Sequence, residues 1–165
     1  MLDRLIALLS ASETPPEDRI DAARIAVAAI LVEAAMADGV YLAAEKTMID
    51  RVLAGRFGLT VWDAASLRVK GEAAQAEATD LVRFTRVIKD AVPHAERVDL
   101  IEAVWRVVYA DDTRVAEEGN LVRRLAGLLY VPDCDAGPAR QRVVAARSAG
   151  YAGLLPSLRR RRSRP

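Results

Sequence analysis

Ala37-Asp38-Gly39-Val40-Tyr41-Leu42-Ala43-Ala44-Glu45 returns 73 residues later as Ala110-Asp111-Asp112-Thr113-Arg114-Val115-Ala116-Glu117-Glu118. The same shift lays Met48 on Leu121, Ile49 on Val122 and Val52 on Leu125. These are core-type residues at helical spacing, so the two stretches agree in helical phase as well as in loop chemistry. Each copy lies between a long amphipathic segment and a second one. The repeat therefore predicts two helical hairpins of one design, each bent at an aspartate-bearing loop.

Working outward, the segment before the first loop places apolar residues at Ile20, Ala23, Val27, Ile30 or Leu31, and Ala34. Thr14-Pro15-Pro16-Glu17 reads as its start, because prolines suit first-turn positions whose N–H groups have no helical partner. Gly39 suits the left-handed residue beyond a helix end. Met48, Ile49, Val52, Leu53 and Phe57 mark the next helix, stopped by Gly58, and Thr60 with Asp63 starts another. The Ala-rich, charged stretch from Glu72 to Ala78 reads as a solvated helix end. Further stripes centre on Leu81, Phe84 and Ile88, then on Val98, Ile101, Val104, Trp105 and Val108, then on Leu121, Val122, Leu125, Leu128 and Leu129. A last helix is expected over about 136–148, and a short stripe at Leu2, Leu5, Ile6 and Leu9 precedes them all.

Nothing alternates as a strand does. Aromatics are only 5% of 165 residues, with seven Pro and nine Gly, and Ala and Leu favour helices packed through small side chains. The expected class is all-α, a single-domain bundle of seven to eight helices containing the two duplicated hairpins. The one cysteine, Cys134, precludes an internal disulfide and suits a reducing compartment. The longest apolar stretch, 25–37, is broken by Glu33 and is too short to span a membrane. The start lacks the basic and apolar regions of a signal peptide, so the expected location is cytoplasmic.

The net charge of +1 conceals an asymmetry: five of the 24 basic residues are Arg159, Arg160, Arg161, Arg162 and Arg164. Removing them leaves 19 basic against 23 acidic residues, a charge of −4. That balance argues against specific nucleic-acid binding by the folded body. The basic tail is a separate element, either a solubilising terminus or a contact for nucleic acid, anionic lipid or an acidic partner surface.

The Ala-Asp-Gly loop with Glu45 seven residues after Asp38, and its second copy with Glu118 seven after Asp111, resembles the bacterial tellurite-resistance TerB-like family. Relatives of that family include the N-terminal domain of a DnaJ-type membrane co-chaperone. The resemblance covers about residues 20–133 and implies a compact helical domain, here 1–150, followed by the basic tail 151–165. It also implies a stress-response role without catalysis, and an acidic cluster proposed to hold a metal. The chain departs from the pattern in two respects. Asp112 stands where glycine is expected, and Leu42 and Val115 stand where a polar cap is usual, so another group must satisfy the N–H groups there.

The site residues that follow are Asp38, Glu45, Asp111, Asp112 and Glu118. Carboxylates are hard oxygen ligands, suited to Ca²⁺, Mg²⁺ or Mn²⁺. The competing reading is structural: the aspartates turn their own loops, and the glutamates complement helix N-termini. Glu33 and Glu102 add an acidic residue to each preceding helix, and Arg114 is a candidate internal counter-ion. His94 has no identifiable orienting acid, and Cys134 lies between Asp133 and Asp135, which oppose thiolate formation. Trp62, Trp105, Tyr109 and Tyr130 read as core. An enzyme is not expected; a protein partner is, and a co-chaperone-like adaptor without metal is the alternative.

Overall fold

The computed structural model describes residues 16–110 and 115–159, with side chains over 17–110 and 119–150. Seven helices account for the described residues, and no strand occurs among them. They are α1 (Pro16–Ala35), α2 (Ala43–Phe57), α3 (Val61–Glu77), α4 (Val82–Ala91), α5 (His94–Val108), α6 (Val115–Leu128) and α7 (Asp133–Arg159). The stripe at Leu2–Leu9, the cap at Thr14 and the arginines from 160 onward lie outside the described residues.

Punctuation follows local chemistry. Pro16 opens α1 with Glu17 and Asp18 in its first turn, where negative charge complements the helix dipole. Gly58, at φ 62°, ends α2. The Thr60 hydroxyl accepts from the Asp63 N–H to cap α3, and Asp80 Oδ1 accepts from the Val82 N–H ahead of α4. α7 is longer than the sequence suggested. It begins directly after Pro132, whose carbonyl accepts from Asp135 and Ala136, and it continues past residue 148 to Arg159.

α1 organises the bundle. It packs most extensively on α3 and α4, and also on α5, α2 and α6. From Val27 to Ala35 every side chain is buried except that of Glu33. A helix apolar on all sides belongs inside a bundle, and this one is walled by five others. The closest approach is to α3, at Gly71. A Cβ built there would lie 2.6 Å from Ala28 Cβ and 2.8 and 2.9 Å from backbone atoms of Ala28 and Ala29. Gly71 is thus the place where two helix backbones meet.

That contact corrects the reading of Glu72–Ala78. Only part of the stretch is solvated: Glu72, Ala74, Gln75 and Ala78 are half-buried, Ala74 and Ala78 against the core. Small residues here let α3 lie close to α1, so the absence of large apolar side chains marks proximity.

The repeat is visible in three dimensions. Ile49 and Val122, Val52 and Leu125, and Leu53 and Ala126 are buried pairwise at equivalent positions. Both first helices end with the same bond, from Met36 to Val32 in one copy and from Tyr109 to Trp105 in the other. The likeness extends to a third helix. α3 follows the first hairpin and packs on α1, and α7 follows the second and packs on α5. The copies then diverge. α2 and α3 pack on each other, whereas α6 and α7 have no comparable contact among the described residues.

Candidate functional site

The first loop is built from its own polar atoms. Met36 N–H bonds to the Val32 carbonyl and Gly39 N–H to the Met36 carbonyl, both at 2.9 Å. Gly39 then takes φ +81°, a left-handed conformation that side chains other than Asn or Asp rarely adopt. Asp38 Oδ1 accepts from the Val40 N–H at 2.8 Å, closing an Asx-turn. Leu42 has no capping side chain for α2, and Glu45 supplies the missing partner. Its Oε2 accepts from the Leu42 N–H at 2.7 Å, which is the glutamate half of a capping box. Glu45 is 2% exposed, the one buried carboxylate among the described residues.

A chain of charges fastens this loop to α3. The Tyr41 hydroxyl donates to Glu72 Oε1 at 2.8 Å. Arg68 donates to the same oxygen through Nη1 and to Asp50 Oδ1 through Nε. Burial raises the Tyr41 phenol, and the Glu72 carboxylate beside it raises it further. Burial pushes Glu72 upward, but the bonds from Tyr41 and Arg68 outweigh it and hold the carboxyl below its usual range. Arg68 stays charged: desolvation lowers it, and the bonds to Asp50 and Glu72 more than reverse that. Lys46 lies 4.6 Å from the centre of the Tyr41 ring. The Arg68–Glu72 pair is legible as an i,i+4 spacing on a helix. Its link to Tyr41, 31 residues away, is not.

The sequence-derived ligand set divides accordingly. Asp38 and Glu45 stand at one bend, and both are engaged in polar contacts. Asp111, Asp112 and the counter-ion candidate Arg114 lie outside the described residues. Glu118 falls in α6, and its side chain is likewise outside them. No group of three or more His, Cys, Asp or Glu side chains able to hold a metal occurs among the described residues. Glu33 accepts from Gln75 Nε2 at 2.7 Å. Glu102 accepts from Arg106 and Arg142, each at 2.7 Å. Burial raises its carboxyl, the two guanidinium groups lower it, and the net direction is down.

Two aromatic expectations are corrected. Trp105 and Tyr109 are buried and stacked at 5.5 Å, but Trp62 and Tyr130 are exposed. Trp62 occupies the first turn of α3 on the side away from α1. Tyr130, at φ 56° after α6, lies with Lys89 4.0 Å from its ring centre. His94 also has an acid that the sequence did not reveal: its Nε2 lies 3.2 Å from Asp135 Oδ2, both groups being exposed.

Where α6 and α7 part, a cleft of about 700 Å³ opens between α5, α6 and α7. Trp105, Val122, Ala126 and Ala136 give it apolar walls, and Arg123, Arg140 and Asp133 add charge. Arg140 is held in place, with its guanidinium 4.9 Å from the Trp105 ring centre and its Nε donating to the Tyr109 hydroxyl at 2.9 Å. The volume lies within the ~300–1,000 Å³ usual for ligand pockets. Sequence periodicity could not show it, since it depends on how far apart the described parts of α6 and α7 lie.

Residues 24–141 match the family described as Tellurite resistance protein TerB, a span from within α1 to within α7 that includes both loops. The chain belongs to the TerB family. No curated protein and no solved structure matches it. The TerB match covers both copies of the repeat and the cleft walls, and it stops short of the basic tail. No helix among the described residues is long and apolar enough to cross a membrane.

Proposed function

We propose that this TerB-family chain is a non-catalytic stress-response domain that works by binding a protein partner in the α5–α6–α7 cleft. The cleft carries the reading: it joins apolar walls to an arginine pre-positioned on Trp105 and Tyr109. The absence of catalysis is supported by how the polar groups are used. Glu72 and Glu102 are tied to arginines, and Asp38 and Glu45 hold loop amides. His94 and Asp135 form an exposed pair, and neighbouring Cys134 is exposed as well. Filling the cleft tests this. Ala136→Trp is expected to abolish protection against tellurite in a host strain lacking the gene while leaving the melting temperature within a few degrees. Full protection by the variant would overturn the proposal.

The second reading is a divalent cation held by Asp38, Glu45, Asp111, Asp112 and Glu118, and the duplication favours it. α1 and α2 both pack on α5, the helix that leads into the second loop. Asp38 and Glu45, however, already accept from loop amides, which favours the structural role. Millimolar Ca²⁺, Mg²⁺ or Mn²⁺ is therefore expected to leave the melting temperature unchanged. Binding at 100 times Kd would stabilise by ~2.7 kcal/mol and raise it by several degrees. A rise that disappears in the double variant Asp38→Asn with Asp111→Asn would establish the cation and displace the structural role.

A further inference from the structure

α3 turns an apolar stripe to solvent. Trp62 is 86% exposed and Val69 54%. Ala73 and Ala76 are exposed and Ala65 is half-buried. At helical spacing these five residues share one face, opposite the face that buries Ala64, Leu67 and Gly71 against α1. The stripe carries no charge. Its bulk is uneven: Trp62 stands at the N-terminal end and Val69 at the middle, with alanines at 65, 73 and 76.

That pattern is its own complement when reversed about Val69, Trp62 meeting Ala76 and Ala65 meeting Ala73. Val69 lies seven residues from Trp62 and seven from Ala76, a distance of ~10 Å either way at ~1.5 Å rise per residue. We infer that the outward face of α3 binds a second copy of this chain, antiparallel about a two-fold axis at Val69. Trp62 of each copy then lies on Ala73 and Ala76 of the other, and the two Val69 side chains meet on the axis. Such an interface is isologous and closes at two subunits. A parallel arrangement would set Trp62 on Trp62 and hold the alanine ends apart.

Trp62 of the other copy would thus find alanines beneath it. A lipid surface is disfavoured, because Lys70 is flanked along the outer side by Asp63 and Glu77 and forms no basic band. Each tryptophan buries ~150–250 Å². Two of them with the valines stay near or below the ~1,200 Å² lower bound of stable interfaces, so the association is reversible and depends on concentration.

Analytical ultracentrifugation of the full chain tests this. The wild type is expected to pass from monomer to dimer between micromolar and near-millimolar concentration. Trp62→Ala and Ala76→Arg should each remain monomeric across that range with unchanged circular dichroism and melting temperature. Val69→Cys, in a Cys134→Ser background, should form a disulfide-linked dimer under mild oxidation. A wild type that is monomeric throughout overturns the proposal, whatever other partner the face has. A dimer that survives Trp62→Ala also overturns it, and one lost in Trp62→Ala but kept in Ala76→Arg overturns the antiparallel register.

Discussion

Gly71→Leu is expected to abolish cooperative folding. The first added carbon would already stand 2.6 Å from Ala28 Cβ and within 3 Å of two backbone atoms of α1. Backbone cannot swing aside as a long side chain can, so α1 and α3 must separate along the most extensive helix contact in the bundle. Gly71→Ala measures the same conflict at smaller scale. In an exposed helix the change would gain ~1 kcal/mol through propensity. Here overpacking, at about 1–3 kcal/mol, opposes and exceeds that gain. Thermal melts should place Gly71→Ala below the wild type, and Gly71→Leu should show no native near-ultraviolet signal. A Gly71→Ala protein melting at or above the wild type would refute the close-approach argument.

Ile30→Ala should cost about 2–5 kcal/mol, the range for a large-to-small change in a packed core. Ile30 is completely buried on α1, whose neighbours close on it from several directions and leave little room to collapse. Ile20 on the same helix, 52% exposed, is the internal control. Ile20→Ala should remain within ~0.5 kcal/mol of the wild type, as surface changes usually do. Urea titration of both variants checks the contrast. Equal losses at the two positions would mean that α1 is not the centre of the bundle.

The sequence was most informative where chemistry is local. The bends at Gly39 and Gly58, the cap at Thr60 and the matching phase of Ile49 and Val122 all depend on neighbours within a few residues, and all appear where periodicity placed them. Glu45 was read correctly as a first-turn group, though not as the buried carboxylate that caps α2 through Leu42. Contacts between distant segments were not legible. Nothing near Tyr41 announces Glu72, and nothing near His94 announces Asp135. The stretch from Glu72 to Ala78 looked like a solvated helix end because small residues needed for close approach have the composition of an unremarkable surface. Trp62 misled for the opposite reason, since bulk and aromaticity suggest burial and say nothing about which way a first-turn residue points. The cleft was hidden because it arises from packing that one copy of the repeat makes and that the described residues of the other do not match.

That difference between the copies has a consequence for how the domain can change. In the first unit α3 is clamped to α2 by Arg68 and Asp50 and pressed on α1 at Gly71, so substitutions there are answered by the whole bundle. In the second unit α7 leans on α5 while its flank toward α6 is open. Asp133 and Gly137 on that flank are exposed and can vary without a neighbour to accommodate them. The duplication thus divides labour between its halves. One half is constrained to hold the architecture, and the other is left a margin in which recognition can be altered without endangering the fold.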